Sequence, residues 1–435
     1  MKLKLIIPLL CRFIIFTVTA QNPVSPPGVY LADPTARVML DGKLYLYGSN
    51  DESPDYYCSD IYHLLSTFDM INWTVTKDIF SLNSHNKGGR KTFLYAPDCL
   101  ERDGKYYMYY CLSEGPEDEW VAVSDSPEGP FGNETAISGI SGIDPAVFRD
   151  DDGQTYYFWG QFNAKGAKLN KDGRSIDQSS VCNDLVTEKE HRFHEGGWMF
   201  KRNGIYYFVY TSLSERGEAT TIGYSTSDHP LGPFTYGGTI IDNFGCDPKT
   251  WNNHGSVVAY KDEWYIFYHR STHASNSMRK ACVEKIHFDE DGSIPQVEMT
   301  SQGAGQSLNA FSVIGAERAC FLTGKVCITL ASANNEELSD IEHYNTATFK
   351  YLDFPRSPRK LVVRASSISG GKICLYTNDM FRAHAVLNIP PGDGKTYTDY
   401  SVDVENIKPG IYPVRFRFIG EEEKKLMRMN SFRFE

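Results

Sequence analysis

The sequence predicts an all-β protein: a five-bladed β-propeller over residues 21–300 followed by a β-sandwich of jelly-roll type over 312–435. Three observations predict it. One hairpin phrase recurs five times at fairly even spacing, a polar residue keeps its place in four of those copies, and the texture of the chain changes at 301–307, SQGAGQS.

The fullest copy is 143–160, IDPAVFRDDDGQTYYFWG. Asp144 opens it, a strand-like segment follows, an Asp-Gly tip turns the chain, and an aromatic strand returns. Asp-Gly between β-branched and aromatic runs is a strong hairpin signal, because glycine takes positive φ without steric cost. The other copies are ADPTARVMLDGKLYLYG with Asp33, YAPDCLERDGKYYMYY with Asp98, HEGGWMFKRNGIYYFVY with Glu195, and NHGSVVAYKDEWYIFYH with His254. Their turn positions, 42, 104, 153, 204 and 263, lie 62, 49, 51 and 59 residues apart, with Glu263 standing where the others have glycine. Self-similarity at such a period marks a propeller or array in which each unit is one blade.

Asp33, Asp144, Glu195 and His254 each stand nine residues before their turn position. Equivalent positions in successive blades gather around the axis, so residues far apart in the chain are expected at one mouth of the central channel. Asp98 is only six residues ahead of Gly104 and is left out of that ring.

Between the phrases, 121–131 (VAVSDSPEGPF) and 222–234 (IGYSTSDHPLGPF) resemble each other and read as outer strands of adjacent blades. No stretch shows helical periodicity. Residues 301–311 read as a linker. Beyond it, alternating segments such as TFKYLDF, KLVVRASS and YPVRFRF, with PPGDGK and KPG turns, predict the sandwich.

Composition narrows the function. Forty-four basic against 55 acidic residues give a formal charge of −11, which argues against nucleic acid or an anionic membrane as partner. Residues 1–20 have a basic start, an apolar middle broken by Pro8 and Arg12, and small residues at the end. They read as a signal peptide cut before Gln21, which makes the protein secreted or periplasmic with no membrane insertion after cleavage. Cys11 aside, nine cysteines remain; they fit no zinc spacing and are as well explained as small buried hydrophobes.

Carboxylates converging on a polar mouth rich in aromatics suit hydrolysis of a glycosidic bond. One acid protonates the leaving oxygen while one carboxylate activates water, and the two must hold different protonation states at one pH. A third carboxylate beside the acid raises the acid's pKa. Each residue alone has a plainer reading, since Asp-Pro pairs often only start turns. The shared offset lifts the set above that.

ADPTARV, YAPD, GIDPAVFRDDDG, HEGGWMFKRNG and NHGSVV, in this order, resemble glycoside hydrolase family 43 across nearly all of 30–300. The resemblance implies a five-bladed propeller that hydrolyses arabinose- and xylose-containing plant glycans with inversion. It implies Asp33 as general base, Glu195 as general acid and Asp144 as the residue that raises and orients the acid. His254 matches a histidine near the axis that in some members binds water or a metal ion, so a structural Ca²⁺ held through water is an optional expectation and no cofactor is required. Tyr95 and Arg270 resemble substrate contacts. The tail resembles a family 6 carbohydrate-binding module, through FKYLDF, SGGKICLYT, KTYTDYSVDV and NSFRFE. It lacks two tryptophans common in relatives, having Asp393-Gly394-Lys395 and Ser431 there, while Asn430 retains a hydrogen-bonding side chain. The expected activity is an exo-acting α-L-arabinofuranosidase on arabinoxylan or arabinan, with β-xylosidase as near neighbour and a catalytically idle glycan-binding propeller as the alternative.

Overall fold

The computed structural model describes residues 14–16, 21–82, 92–113 and 119–435. The predicted signal peptide lies outside the described residues except for Ile14–Phe16, which pairs with Trp73–Val75.

Up to residue 286 the strands fall into five antiparallel sheets in chain order. The first runs Leu31–Val38, Leu44–Asn50, Ile61–Thr67 and Trp73–Ser81; the second runs Leu94–Arg102, Lys105–Leu112, Glu119–Ser124 and Gly132–Ala136. Ala146–Arg149, Thr155–Trp159, Asn163–Leu169 and Cys182–Thr187 form the third. Phe193–Arg202, Ile205–Ser212, Thr221–Ser227 and Thr235–Asp242 form the fourth, and Ser256–Tyr260, Glu263–Arg270 and Lys280–Ile286 the fifth. Their first strands pack against one another in cyclic order, the fifth returning to the first.

A hydrophobic cluster fills each gap between neighbouring sheets. Tyr47, Tyr62 and Tyr110 lie between the first and second, Tyr109, Tyr157 and Trp159 between the second and third, and Phe158, Phe208 and Tyr210 between the third and fourth. Tyr207, Tyr224 and Tyr268 join the fourth to the fifth, and Trp73 and Phe267 join the fifth to the first. Radiating sheets diverge outward, and large rings fill the wedge that aliphatic side chains would leave void. This accounts for the aromatic excess and for second strands buried on both faces, such as Thr155–Trp159. Ring closure uses the amino terminus: Val24 N–H donates to Ala281 O at 2.9 Å, and Asn22 Oδ1 accepts from Val283 N–H at 2.8 Å.

Several sequence expectations change here. The two similar segments become third strands of the second and fourth sheets, so they are not in adjacent units. Glu263 is not a turn residue: Lys261 and Asp262, with φ of 50° and 67°, form the two-residue turn and Glu263 pairs with Tyr260. The shared nine-residue offset conceals two turn lengths. Met39 N–H bonds to Lys43 O and Asp150 N–H to Gln154 O around longer tips, whereas Arg202 pairs with Ile205 across two residues. Asp33 and Asp144 are therefore equivalent, while Glu195 is one backbone position earlier and matches Tyr95, each just before a bulge in its strand.

The carboxy-terminal region forms two six-stranded sheets around one core that runs from Leu308 to Phe434 and includes Phe349, Phe354, Phe416 and Phe432. The expected linker is partly structural: Leu308–Asn309 pairs with Leu352–Asp353, and Ala310 is buried in the core. The nine cysteines among the described residues are unpaired, and all but Cys182 are buried.

A buried ion pair joins this region to the fifth sheet. Lys280 Nζ donates to both carboxylate oxygens of Glu336, at 2.7 and 2.5 Å, and to Pro26 O at 3.1 Å. Removing one partner of a buried pair strands the other charge, at a cost of about 3–5 kcal/mol. Glu336→Gln is expected to lower the unfolding free energy by that order in denaturant titration.

Candidate active site

The bulge in a first strand is what lifts a side chain off the sheet and into the ring. Asp33 (φ 51°) and Gly196 (φ 64°) take the left-handed conformation there, and Asp144 (φ 59°) takes it just before its strand begins at Ala146. Aspartate tolerates it better than most residues carrying a Cβ. At Gly196 a side chain is excluded altogether, because a Cβ would lie 2.8 Å from the His254 ring.

Asp33, Asp144, Glu195 and His254 converge on one open cavity of about 230 Å³, which Tyr95 also lines. Asp33 is buried. Its Oδ1 accepts from Arg279 Nη1 at 2.8 Å, and its Oδ2 from Ser49 Oγ at 2.7 Å. Burial is the largest single influence and works to raise its pKa, but the Arg279 guanidinium and the polar groups beside it together hold the carboxyl well below the usual range. Asp144 is pushed the other way: burial, then the charges of Glu195, Asp33 and Glu119, hold it well above that range. Glu195, half-buried, accepts from Gln161 Nε2 at 2.9 Å and from Asn252 Nδ2 at 3.1 Å. One small cavity thus sets a carboxyl drawn below the usual range beside one pushed above it, so the environments of its acids differ, as acid–base chemistry at a single pH requires.

His254 Nδ1 lies 3.6 Å from Asp33 Oδ1, and burial lowers its pKa despite that carboxylate. A calcium ion takes six to eight oxygen ligands. Here the protein offers one imidazole and an aspartate already engaged by Arg279, and no group of three His, Cys, Asp or Glu side chains suited to a metal occurs among the described residues. With so few direct ligands from the protein, a calcium ion at His254 would have to be held chiefly through water.

Arg270 does not join the cavity. It is 2% exposed, and its Nε and Nη1 donate to Cys282 Sγ and Ala319 O, both at 3.1 Å. Strand alternation sends His269 toward the axis and its neighbour Arg270 away from it. The arginine of the site is Arg279, whose Nε and Nη2 also grip Asp51 at 2.9 and 3.0 Å. Sequence reasoning missed Arg279 because it precedes a third strand, where the repeated phrase gives no guide. It also missed Trp251, Asn252, Gln161, Tyr57 and Cys58 in the lining. Asn252 and Gln161 were within reach, since they adjoin the last and the fullest copies of the phrase.

The model of a family described as "Glycosyl hydrolases family 43" matches residues 20–294. The chain belongs to glycoside hydrolase family 43. Among family relatives, a "Xylosidase/arabinosidase" from Thermoclostridium stercorarium is 30% identical over 93% of this chain and 97% of its own. The "Arabinoxylan arabinofuranohydrolase" of Bacillus subtilis (strain 168) is 27% identical over 93% of this chain and 90% of its own. A solved family 43 β-xylosidase/α-arabinofuranosidase from a compost microbial metagenome, in complex with xylotriose in a calcium-free form, superposes with a TM-score of 0.55 at 30% identity, covering 66% of this chain and 99% of that one. The Bacillus subtilis arabinoxylan arabinofuranohydrolase in complex with cellotetraose gives 0.52 at 24% identity, over 96% and 99%, and speaks for the fold alone. The protein is a family 43 glycoside hydrolase of propeller fold.

Proposed function

We propose that this family 43 enzyme is an exported, inverting, exo-acting hydrolase that removes arabinofuranosyl residues from hemicellulose such as arabinoxylan or arabinan. The single observation that carries the mechanism is the convergence of Asp33, Asp144 and Glu195 on one cavity in which only Asp33 is paired with a guanidinium, that of Arg279. Asp33, kept ionised by Arg279, takes a proton from water as its oxygen bonds to the anomeric carbon. Glu195 gives a proton to the departing glycosidic oxygen as the carbon–oxygen bond breaks, and Asp144 raises and orients that acid. The two carboxyls then exchange protons with solvent.

The five sheets are the blades of the propeller, a reading supported by their cyclic packing. The two carboxy-terminal sheets form a sandwich of the carbohydrate-binding-module type. Asn430 Nδ2 is already committed to Asn335 Oδ1 at 3.0 Å, which favours a buttressing role there over sugar binding. Export follows from the amino-terminal segment, and sequencing the secreted protein should read Gln21 first; a retained leader would refute it.

The substrate class comes from the names of relatives, which pair xylosidase with arabinosidase, and β-xylosidase is therefore the second reading. A cavity of about 230 Å³ is below the 300–1,000 Å³ typical of drug-sized ligands, and this supports removal of one terminal sugar at a time. Trp251, 50% exposed in the lining, offers a ring face to the sugar. Trp251→Ala should raise KM about tenfold, equivalent to about 1.4 kcal/mol, with a smaller effect on kcat.

The test is release of nitrophenol from aryl arabinofuranoside and xyloside, followed by arabinoxylan and arabinan, with the anomeric proton of the first product read by NMR. Inversion supports the scheme. Retention removes Asp33 as a water-activating base, and glycan binding without any hydrolysis favours the idle propeller.

A further inference from the structure

Beneath the cavity floor, a chain of hydrogen bonds connects the backbone of Asp33 to the carboxyl of Glu195. Asp33 N–H donates to His269 Nδ1 at 3.1 Å. His269 Nε2 lies 3.1 Å from both Asn252 O and Asn252 Oδ1, and Asn252 Nδ2 donates to Glu195 Oε1 at 3.1 Å.

The polarity of this chain is fixed by groups that cannot reverse. A backbone amide only donates, so Nδ1 of His269 carries no proton. A backbone carbonyl only accepts, so Nε2 carries one. His269 is then a single neutral tautomer, set at both ends by main chain, and it is completely buried. The Asn252 side-chain atom that also lies 3.1 Å from Nε2 must be the amide oxygen, because an NH₂ there would set two donors face to face. The NH₂ of Asn252 must then face Glu195 and demands a lone pair on Oε1. The only oxygen of Glu195 left to carry the transferable proton is Oε2, on the side of Gln161, whose amide presents its oxygen to a protonated Oε2 after a half-turn about its terminal bond.

The geometry points to Asn252 and His269 as positioning residues that form a one-way relay, holding the Glu195 carboxyl in one rotational state with its proton on Oε2. It deepens the function proposed above and rests on Glu195 being the general acid. No proton moves along the relay; its members set where the proton waits. A carboxyl free to rotate would present its proton to the glycosidic oxygen only part of the time, which lowers kcat where protonation limits the rate and leaves binding alone.

The experiment compares Asn252→Ala and Asn252→Asp with wild type on two substrates: an arabino- or xylo-oligosaccharide, whose leaving alcohol needs protonation, and a nitrophenyl glycoside, whose leaving group does not. Thermal melting confirms folding, and Asn252→Asp keeps the volume and the acceptor toward His269 while losing the donor toward Glu195. A lost hydrogen bond to a charged or reacting carboxyl corresponds to about 10- to 100-fold. The expected result is that loss in kcat on the oligosaccharide for both variants, with KM unchanged and the nitrophenyl glycoside nearly unaffected. Equal losses on both substrates, or a change confined to KM, overturn the relay and leave Asn252 a structural or sugar-binding residue. Glu195→Gln runs alongside: if it too fails to separate the two substrates, the assignment of the acid has failed, and the relay with it.

Discussion

Glu195→Gln is expected to cut kcat on oligosaccharides by about 10²–10⁴-fold, the usual contribution of a positioned general acid. The amide keeps the size of the side chain and an acceptor for Asn252 Nδ2, so the cavity should survive. What is lost is the proton. The deficit should therefore shrink as the leaving group improves and come close to vanishing for a dinitrophenyl glycoside. Measuring kcat across a series of aryl glycosides gives the slope of log kcat against leaving-group pKa. A slope steeper than wild type supports the acid role, and one that does not change removes Glu195 from it.

Asp33→Asn should be as damaging, about 10²–10⁴-fold, but without regard to the leaving group, because activation of water is common to every substrate. The substitution also leaves Arg279 facing a neutral amide at a site where it made a 2.8 Å ion pair. The pH dependence has a definite sign. Asp33 has a folded pKa below the usual carboxylate value, so its ionised form and the stability it contributes are fully present above about pH 4, and both are lost only as pH falls through that depressed value. The acidic limb of kcat/KM should lie correspondingly low. Arg279→Lys, which gives up the fork that spans Asp33 and Asp51, should move that limb to higher pH. An acidic limb that stays in place would mean that another group sets it.

The hairpins were legible because they announce themselves locally: Asp-Gly and Asn-Gly tips between aromatic strands need no tertiary context. Convergence of Asp33, Asp144 and Glu195 was legible through their common offset, although that offset equates positions that the backbone keeps one residue apart. The side chains that tune the site were less so. Arg279 and Asn252 act through partners more than 50 residues away, Asp33 and Glu195; Asn252 at least adjoins a copy of the phrase, while nothing in the neighbourhood of Arg279 marks it. Arg270 was misread because, in a strand, one step along the chain reverses the direction of a side chain. A tether was inferred from the small polar run at 301–307, yet Ser301 and Gln302 N–H both bond to Lys350 O, a partner that composition does not reveal.

Lys280 is the residue after Arg279, so the guanidinium that pairs with Asp33 sits one peptide from an ammonium neutralised by Glu336 of the carboxy-terminal sheets. The two parts of the chain are accordingly poor candidates for cut-and-paste engineering. The amino-terminal sheets expressed by themselves, or grafted to a foreign module, would present a bare cation where there is now a dry counter-ion, immediately beside the arginine that holds Asp33.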